Sequence, residues 1–403
     1  MNAKSDVDAN GSCGEMGTIL DYLKEYGDYT LEEKAFSEVD SLALSQFAYL
    51  KFDGMVPAAG EKLPPVSLAY LAQHEKYDDL YGDERYRKDN TALFDGLYNS
   101  KRFRNLKIGN YVNQIDLDTE TQFSAVTFLL PDGVSYVAYR GTDETIVGWK
   151  EDMNLAFSEP VPGQCMAVEY LNYAAACIEG AFYMGGHSKG GNLAVYAAMN
   201  CEENVRQRII TIFDHDGPGF RPEVKAAGAY DEIADRIRKT VPRSSLVGML
   251  LYTDGVYEVV GSRTIGLAQH NPYTWLVKED RFQIEEELYA GRKFLDEALN
   301  QWILSLDQNK MHTFVDTFYQ IVLASETDNL IDFTANWFQS IHKIGTALKG
   351  LDQQTGKMMI QIMKSLFNIA SLNAKERMKS RSEQQREKFD EGIRQLEQMF
   401  KKS

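Results

Sequence analysis

The run Gly186-His187-Ser188-Lys189-Gly190-Gly191 has the residue types and spacing for nucleophilic chemistry. A serine hydroxyl is a weak nucleophile, so it serves only where a general base takes its proton and a third group holds that base. Glycines two before and two after Ser188 let neighbouring backbones pass closely at a strained strand-to-helix corner, which raises the hydroxyl above the sheet. The corner also aims the Lys189 backbone N–H, at the helix start, toward an oxyanion formed beside Ser188. The chemistry implied is acyl transfer. A tight turn with an incidental serine is the plainer reading. The context favours the elbow: Ala181-Phe182-Tyr183-Met184 reads as a short buried strand, and Leu193, Val195, Tyr196 and Met199 as the helix after it.

A base and an acid must then come from elsewhere, and after such an elbow they follow in the order acid, then histidine. His312 and His342 lie in a helical tail, and His215 ends a buried strand too close behind the elbow strand. His270, in Gln269-His270-Asn271-Pro272-Tyr273-Thr274-Trp275, sits in a loop stopped by Pro272 and is the expected base. Three carboxylates compete for the acid: Asp214 and Asp216 around His215, and Asp254 before Gly255. All three follow strands, where catalytic groups of open sheets gather, and each has an ordinary turn role as its alternative. Gly217-Pro218-Gly219 would make a rigid loop around Asp216, which favours it. Val137 to Thr142 runs from a strand into a turn, so Thr142 is the candidate for a second oxyanion donor, through its N–H and hydroxyl.

The elements that must position these groups follow from periodicity. Residues 1–17 are polar and expected to be disordered, and 18–110 read as a helical cover region, with a helix opening at Asp40 or Ser41 and apolar residues at 43, 47 and 50. From Tyr111 to 281 strands alternate with helices. Phe123–Leu130 and Val134–Tyr139 flank the turn Pro131-Asp132-Gly133, and Ile209–Phe213 is a β-branched run. Glu223–Lys239 is expected to be helical, Leu246–Tyr252 a strand and Val256–Val260 a last one. This is the pattern of an α/β fold with a mostly parallel sheet between helices. Residues 282–403 form an expected helical extension, with stripes such as Trp337, Ile341, Ile344 and Leu348, whose expected role is packing on the core or on a second copy.

Composition bounds the function. The chain has 403 residues, 44% hydrophobic and 25% charged, with a net charge of −16, which argues against a nucleic-acid partner. Cys13, Cys165, Cys177 and Cys201 show neither paired nor zinc-type spacing, so no disulfide framework, metal or cofactor is expected. No secretory leader and no run long enough to span a membrane is read, so a cytoplasmic protein without stable membrane insertion is expected.

On these residues the chain resembles the class 3, fungal-type lipases, and most closely that family's bacterial relatives. The resemblance rests on Val137–Thr142 followed by Trp149 and Asp152, on the elbow Gly186–Gly191, and on His270 ahead of Trp275. It implies an α/β-hydrolase fold, Ser188 as nucleophile, His270 as base, and Thr142 with the Lys189 N–H as oxyanion hole. Two departures stand out. The family's usual acid position reads Ser244-Ser245-Leu246-Val247, without a carboxylate, which shifts weight to Asp216. Lys189 also replaces the apolar residue common after the nucleophile, placing a cation beside the site that would favour an anionic leaving group. The expectation is therefore a serine hydrolase of lipids or small acyl esters, with the segment 142–163 as lid or, alternatively, 68–98. A thioesterase or acyltransferase with the same triad is a second reading, and a catalytically degenerate scaffold for protein contacts is a third.

Overall fold

The computed structural model describes residues 16–286 apart from 83–85, 117–120, 143–159, 252–255, Ser244, Leu246 and Ile265; beyond them it describes Asn300, Gly356, Lys357, Ile360, Glu391 and Arg394. Its centre is a mixed sheet in which β1 (Val66–Ser67), β2 (Lys107–Asp116), β3 (Thr121–Leu129) and β4 (Ser135–Tyr139) pair antiparallel in succession. From β4 the sheet continues in parallel through β5 (Phe182–His187), β6 (Ile209–His215), β7 (Ile237–Pro242) and β8 (Tyr257–Val260). A short ribbon of β9 (Val277–Lys278) and β10 (Arg281–Phe282) follows, and β11 (Ile284–Glu285) closes the main sheet antiparallel to β8.

Both faces are covered, and the side chains show why. Successive strand residues point to opposite faces. Phe123 and Ala125 of β3, with Val137 and Tyr139 of β4, enter one core with α5 (Pro162–Cys177) and α6 (Lys189–Asn200). Val126 and Phe128, with Tyr136 and Ala138, enter the other. That second core is filled by α1 (Ile19–Tyr26), α2 (Glu38–Phe47) and α4 (Arg87–Asn99), to which the short α3 (Leu68–Ala72) adds Leu68 and Leu71. This is an α/β-hydrolase fold with an N-terminal helical region.

Every residue of α2 from Val39 to Phe47 is buried, so its polar groups need partners. Ser37, rather than Asp40 or Ser41, caps it, accepting from Asp40 N–H while the Asp40 carboxylate reaches back to Ser37 N–H at 2.9 Å. That carboxylate also takes a bidentate pair from buried Arg102, at 2.8 and 2.5 Å. Ser41 and Ser45 each bond the Tyr136 hydroxyl at 2.8 Å, stitching α2 to β4.

Several expectations change. Glu223–Lys239 is not one helix: Pro222–Ala227 and Tyr230–Ile233 are short helical pieces, and the chain then enters β7. The strand is hidden in sequence because buried Lys239 carries a charge, which Asp214 pairs at 2.7 Å. Residues 247–251 form a turn rather than a strand, and β2 adds a strand ahead of the expected hairpin. The alternative lid, 68–98, is part of the core: Leu68, Leu71, Leu93, Phe94 and Leu97 are buried there. The other lid candidate lies mostly in 143–159 and the helical extension mostly beyond 286, both outside the described residues, as does the expected disorder of residues 1–15. Among the described residues no helix is long and apolar enough to cross a membrane, and Cys165, Cys177 and Cys201 are free thiols.

Candidate active site

β5 ends at His187 and α6 begins at Lys189, leaving Ser188 at the corner with φ 59° and ψ −133°. A non-glycine residue in that region costs on the order of 1–3 kcal/mol and persists only where its surroundings hold it. They do: Ser188 N–H donates to His215 C=O at 2.8 Å, and Ser188 C=O accepts from Gly191 N–H at 2.9 Å. The close approach explains the glycines, since a Cβ on Gly186 or Gly190 would overlap the Tyr139 carbonyl at the end of β4.

Ser188 Oγ lies 2.9 Å from Nε2 of His270. The His270 loop is pinned on both sides. Fully buried Trp275 donates its indole N–H to Gln269 C=O at 2.7 Å, and Tyr273 donates its hydroxyl to Asn90 on α4 at 2.6 Å. His187, ahead of the serine, adds a third hold: its Nε2 lies 2.9 Å from the His270 carbonyl, and the two rings sit 4.6 Å apart. A carbonyl only accepts, so Nε2 carries the proton and Nδ1 accepts from the Tyr49 hydroxyl at 3.3 Å. Burial holds the His187 imidazole well below its ordinary pKa, and His270 and His215 push it the same way, so it stays neutral.

Of the three carboxylates, the structure brings Asp216 to His270, with Oδ2 at 2.6 Å from Nδ1. Asp216 follows β6 at φ 57°, a left-handed conformation that Asp tolerates, and its side chain is 1% exposed. Its second oxygen, Oδ1, accepts from the Ser245 hydroxyl and from Gly248 N–H, the latter at 3.2 Å. Asp214 faces elsewhere. Its oxygens take Lys239 at 2.7 Å and Gly217 N–H at 2.9 Å; burial pushes its carboxyl up in pKa, and Lys239 counters that. Asp254 lies outside the described residues. His215 is a structural residue: its ring nitrogens meet Ser41 at 2.9 Å and Thr240 at 2.8 Å, and burial, with the Lys239 charge adding, lowers its pKa to about 3.

The end of β4 lies against the elbow, since a Cβ on Gly141 would sit 3.2 Å from Ser188 Cβ. Thr142 follows directly and is half-buried. Lys189 opens α6, so its N–H is one of the donors gathered at the positive end of that helix, beside Ser188. Its side chain corrects the expected cation beside the site: the ammonium is buried and donates to the Gln122 carbonyl of β3 at 2.8 Å. His187, Tyr49, Ser245 and Gly248 are site neighbours that sequence reading missed. His187 carried a signal, as the residue inside the elbow motif itself, and Ser245 lay in the run where the resemblance places the family's acid.

A sheet of mostly parallel strands between helices, with a strained serine at the β5–α6 corner, defines the class: an α/β-hydrolase fold. The chain belongs to the Mbeg1-like family, a lipase-like family whose profile matches residues 97–320. The crystal structure of M37 lipase is similar at 15% sequence identity and a TM-score of 0.34, over 53% of this chain and 69% of that one. Comparison with curated proteins yields no match.

Proposed function

We propose that the protein is a serine hydrolase that cleaves carboxylic esters, of lipids or of small acyl groups, through an acyl-enzyme. The observation that carries this reading is the unbroken hydrogen-bonded row from Ser188 Oγ through the His270 ring to Asp216 Oδ2, at 2.9 and 2.6 Å. Ser188 Oγ attacks the acyl carbon while its proton passes to His270 Nε2. Asp216 holds Nδ1–H, fixing the tautomer that leaves Nε2 free to accept, and stabilises the imidazolium. The oxyanion takes the N–H of Lys189 and the N–H or hydroxyl of Thr142, each donor contributing about 3 kcal/mol to the transition state. Collapse breaks the ester C–O bond, and His270 returns its proton to the leaving alcohol. Water, deprotonated by His270, then attacks the acyl carbon and releases the acid and Ser188.

The scaffold reading draws on the missing carboxylate at 244–247. Asp216 beside His270 weighs against it, because a full set of partners is within hydrogen-bond reach. Labelling with a fluorophosphonate probe tests the proposal, alongside hydrolysis of p-nitrophenyl esters of increasing acyl length. Wild-type protein is expected to label and to turn over, and Ser188→Ala to do neither. An intact protein that neither labels nor hydrolyses any ester would overturn the reading.

A further inference from the structure

Asp216 is held from behind by a turn, and that turn is itself held by a residue from far along the chain. Asn300 is buried, and its carboxamide spans two backbone groups: Oδ1 accepts from Leu251 N–H at 2.8 Å, and Nδ2 donates to Met249 C=O at 2.9 Å. Leu251 stands at φ 54°, a left-handed conformation that a bulky side chain adopts only when its surroundings impose it. The same turn supplies the groups that grip Asp216. Gly248 N–H is shared between Asp216 Oδ1 at 3.2 Å and Ser245 Oγ at 3.0 Å, and Ser245 donates its hydroxyl to that same carboxylate oxygen. Leu250 C=O accepts from Gly219 N–H at 2.7 Å, tying the turn back to the loop that carries Asp216.

We infer that Asn300 is a positioning residue for the proposed triad, acting through this turn. By bracketing Met249 and Leu251 it keeps Gly248 N–H and Ser245 Oγ on Asp216 Oδ1, which leaves Oδ2 turned to His270. The inference rests on the triad reading. It also gives the chain beyond the sheet a functional part: loss of the Asn300 bracket lowers turnover without any contact with substrate.

The test is made in the full chain, with Asn300→Ala and with Asn300→Gln, whose longer stem keeps both groups but misplaces them, should the alanine variant not fold. kcat and KM for a short p-nitrophenyl ester are measured, alone and in a Ser245→Ala background. Asn300→Ala is expected to lower kcat about tenfold with KM within about twofold, the size of effect that one lost orienting contact has on a near-attack geometry. In the Ser245→Ala background its effect shrinks, since the two act through one carboxylate. Unchanged kcat, a loss carried by KM instead of kcat, or fold-losses that multiply fully would overturn the role of Asn300. Ser188→Ala separates the two ideas. If that variant still turns over, the triad reading fails and takes Asn300 with it; if it is dead while Asn300→Ala is fully active, only Asn300 falls.

Discussion

Asp216 and Asp214 stand two residues apart and differ in what they face, so their asparagine variants should fail in opposite ways. In Asp216→Asn the amide has one acceptor oxygen and one donor nitrogen. The Oδ1 position meets two donors, Ser245 Oγ–H and Gly248 N–H, so the amide oxygen settles there and its NH2 turns to His270. Nδ1 must then accept, which puts the imidazole proton on Nε2, the atom that should receive the proton of Ser188 2.9 Å away. A base in the wrong tautomer costs about 10^4-fold in kcat, or roughly 5 kcal/mol, with the fold intact. Asp214→Asn leaves the Lys239 ammonium buried without its counter-charge, the Lys239 and Asp214 side chains being 1% and 7% exposed. That costs about 3–5 kcal/mol of stability but little turnover per folded molecule. The assay is ester hydrolysis normalised to the amount of folded protein, beside urea unfolding. A drop under about tenfold for Asp216→Asn, or a larger kcat loss for Asp214→Asn, would refute the assignment of the acid.

His187→Phe keeps a ring against His270 but removes the donor to its carbonyl. A lost buried hydrogen bond of about 1–2 kcal/mol should appear as a roughly 5- to 30-fold fall in kcat with KM nearly unchanged. A pure loss of melting temperature with full kcat would make the contact structural only. Stability should also depend on pH through His187 and His215, whose folded pKa values lie below the ordinary 6.5, that of His215 at about 3. The unfolded chain binds the extra protons, so stability is complete above about pH 6.5 and is lost as pH falls from there toward about 3, by up to about 1.4 kcal/mol per unit for each histidine. Urea midpoints at several pH values should show that slope, shallower in His215→Gln; an unaltered slope in that variant would exclude His215 as a source.

Legibility in the sequence tracked how local each constraint is. The elbow could be read because glycine spacing, strand and helix are all neighbours in the chain. His270 could be read because chain order and the stop at Pro272 single it out among the histidines. Asp214 and Asp216 could be separated only narrowly, since both lie at the end of one strand, and the choice depends on backbone turning at φ 57° and on what β7 presents. β7 itself was masked by Lys239, a buried cation made tolerable by Asp214. Ser245 looked like one hydroxyl in a Ser-Ser pair, and only the folded turn directs it to a carboxylate. Tyr49, which bonds His187, and Asn90, which holds the histidine loop, come from the N-terminal region, where nothing in local spacing points toward a site so far along the chain.

The helices before residue 97 have a consequence for anyone who would trim this protein to its family-matched span. Phe47, Leu93 and Phe94 fill the same core as Val126, Phe128 and Tyr136, and Ser41 supplies a ring partner to His215. A fragment cut at 97 would present an oily sheet face to water and leave two buried imidazoles short of their neighbours. The stretch that a family profile recognises and the stretch that can stand alone in a test tube are different lengths of this polypeptide.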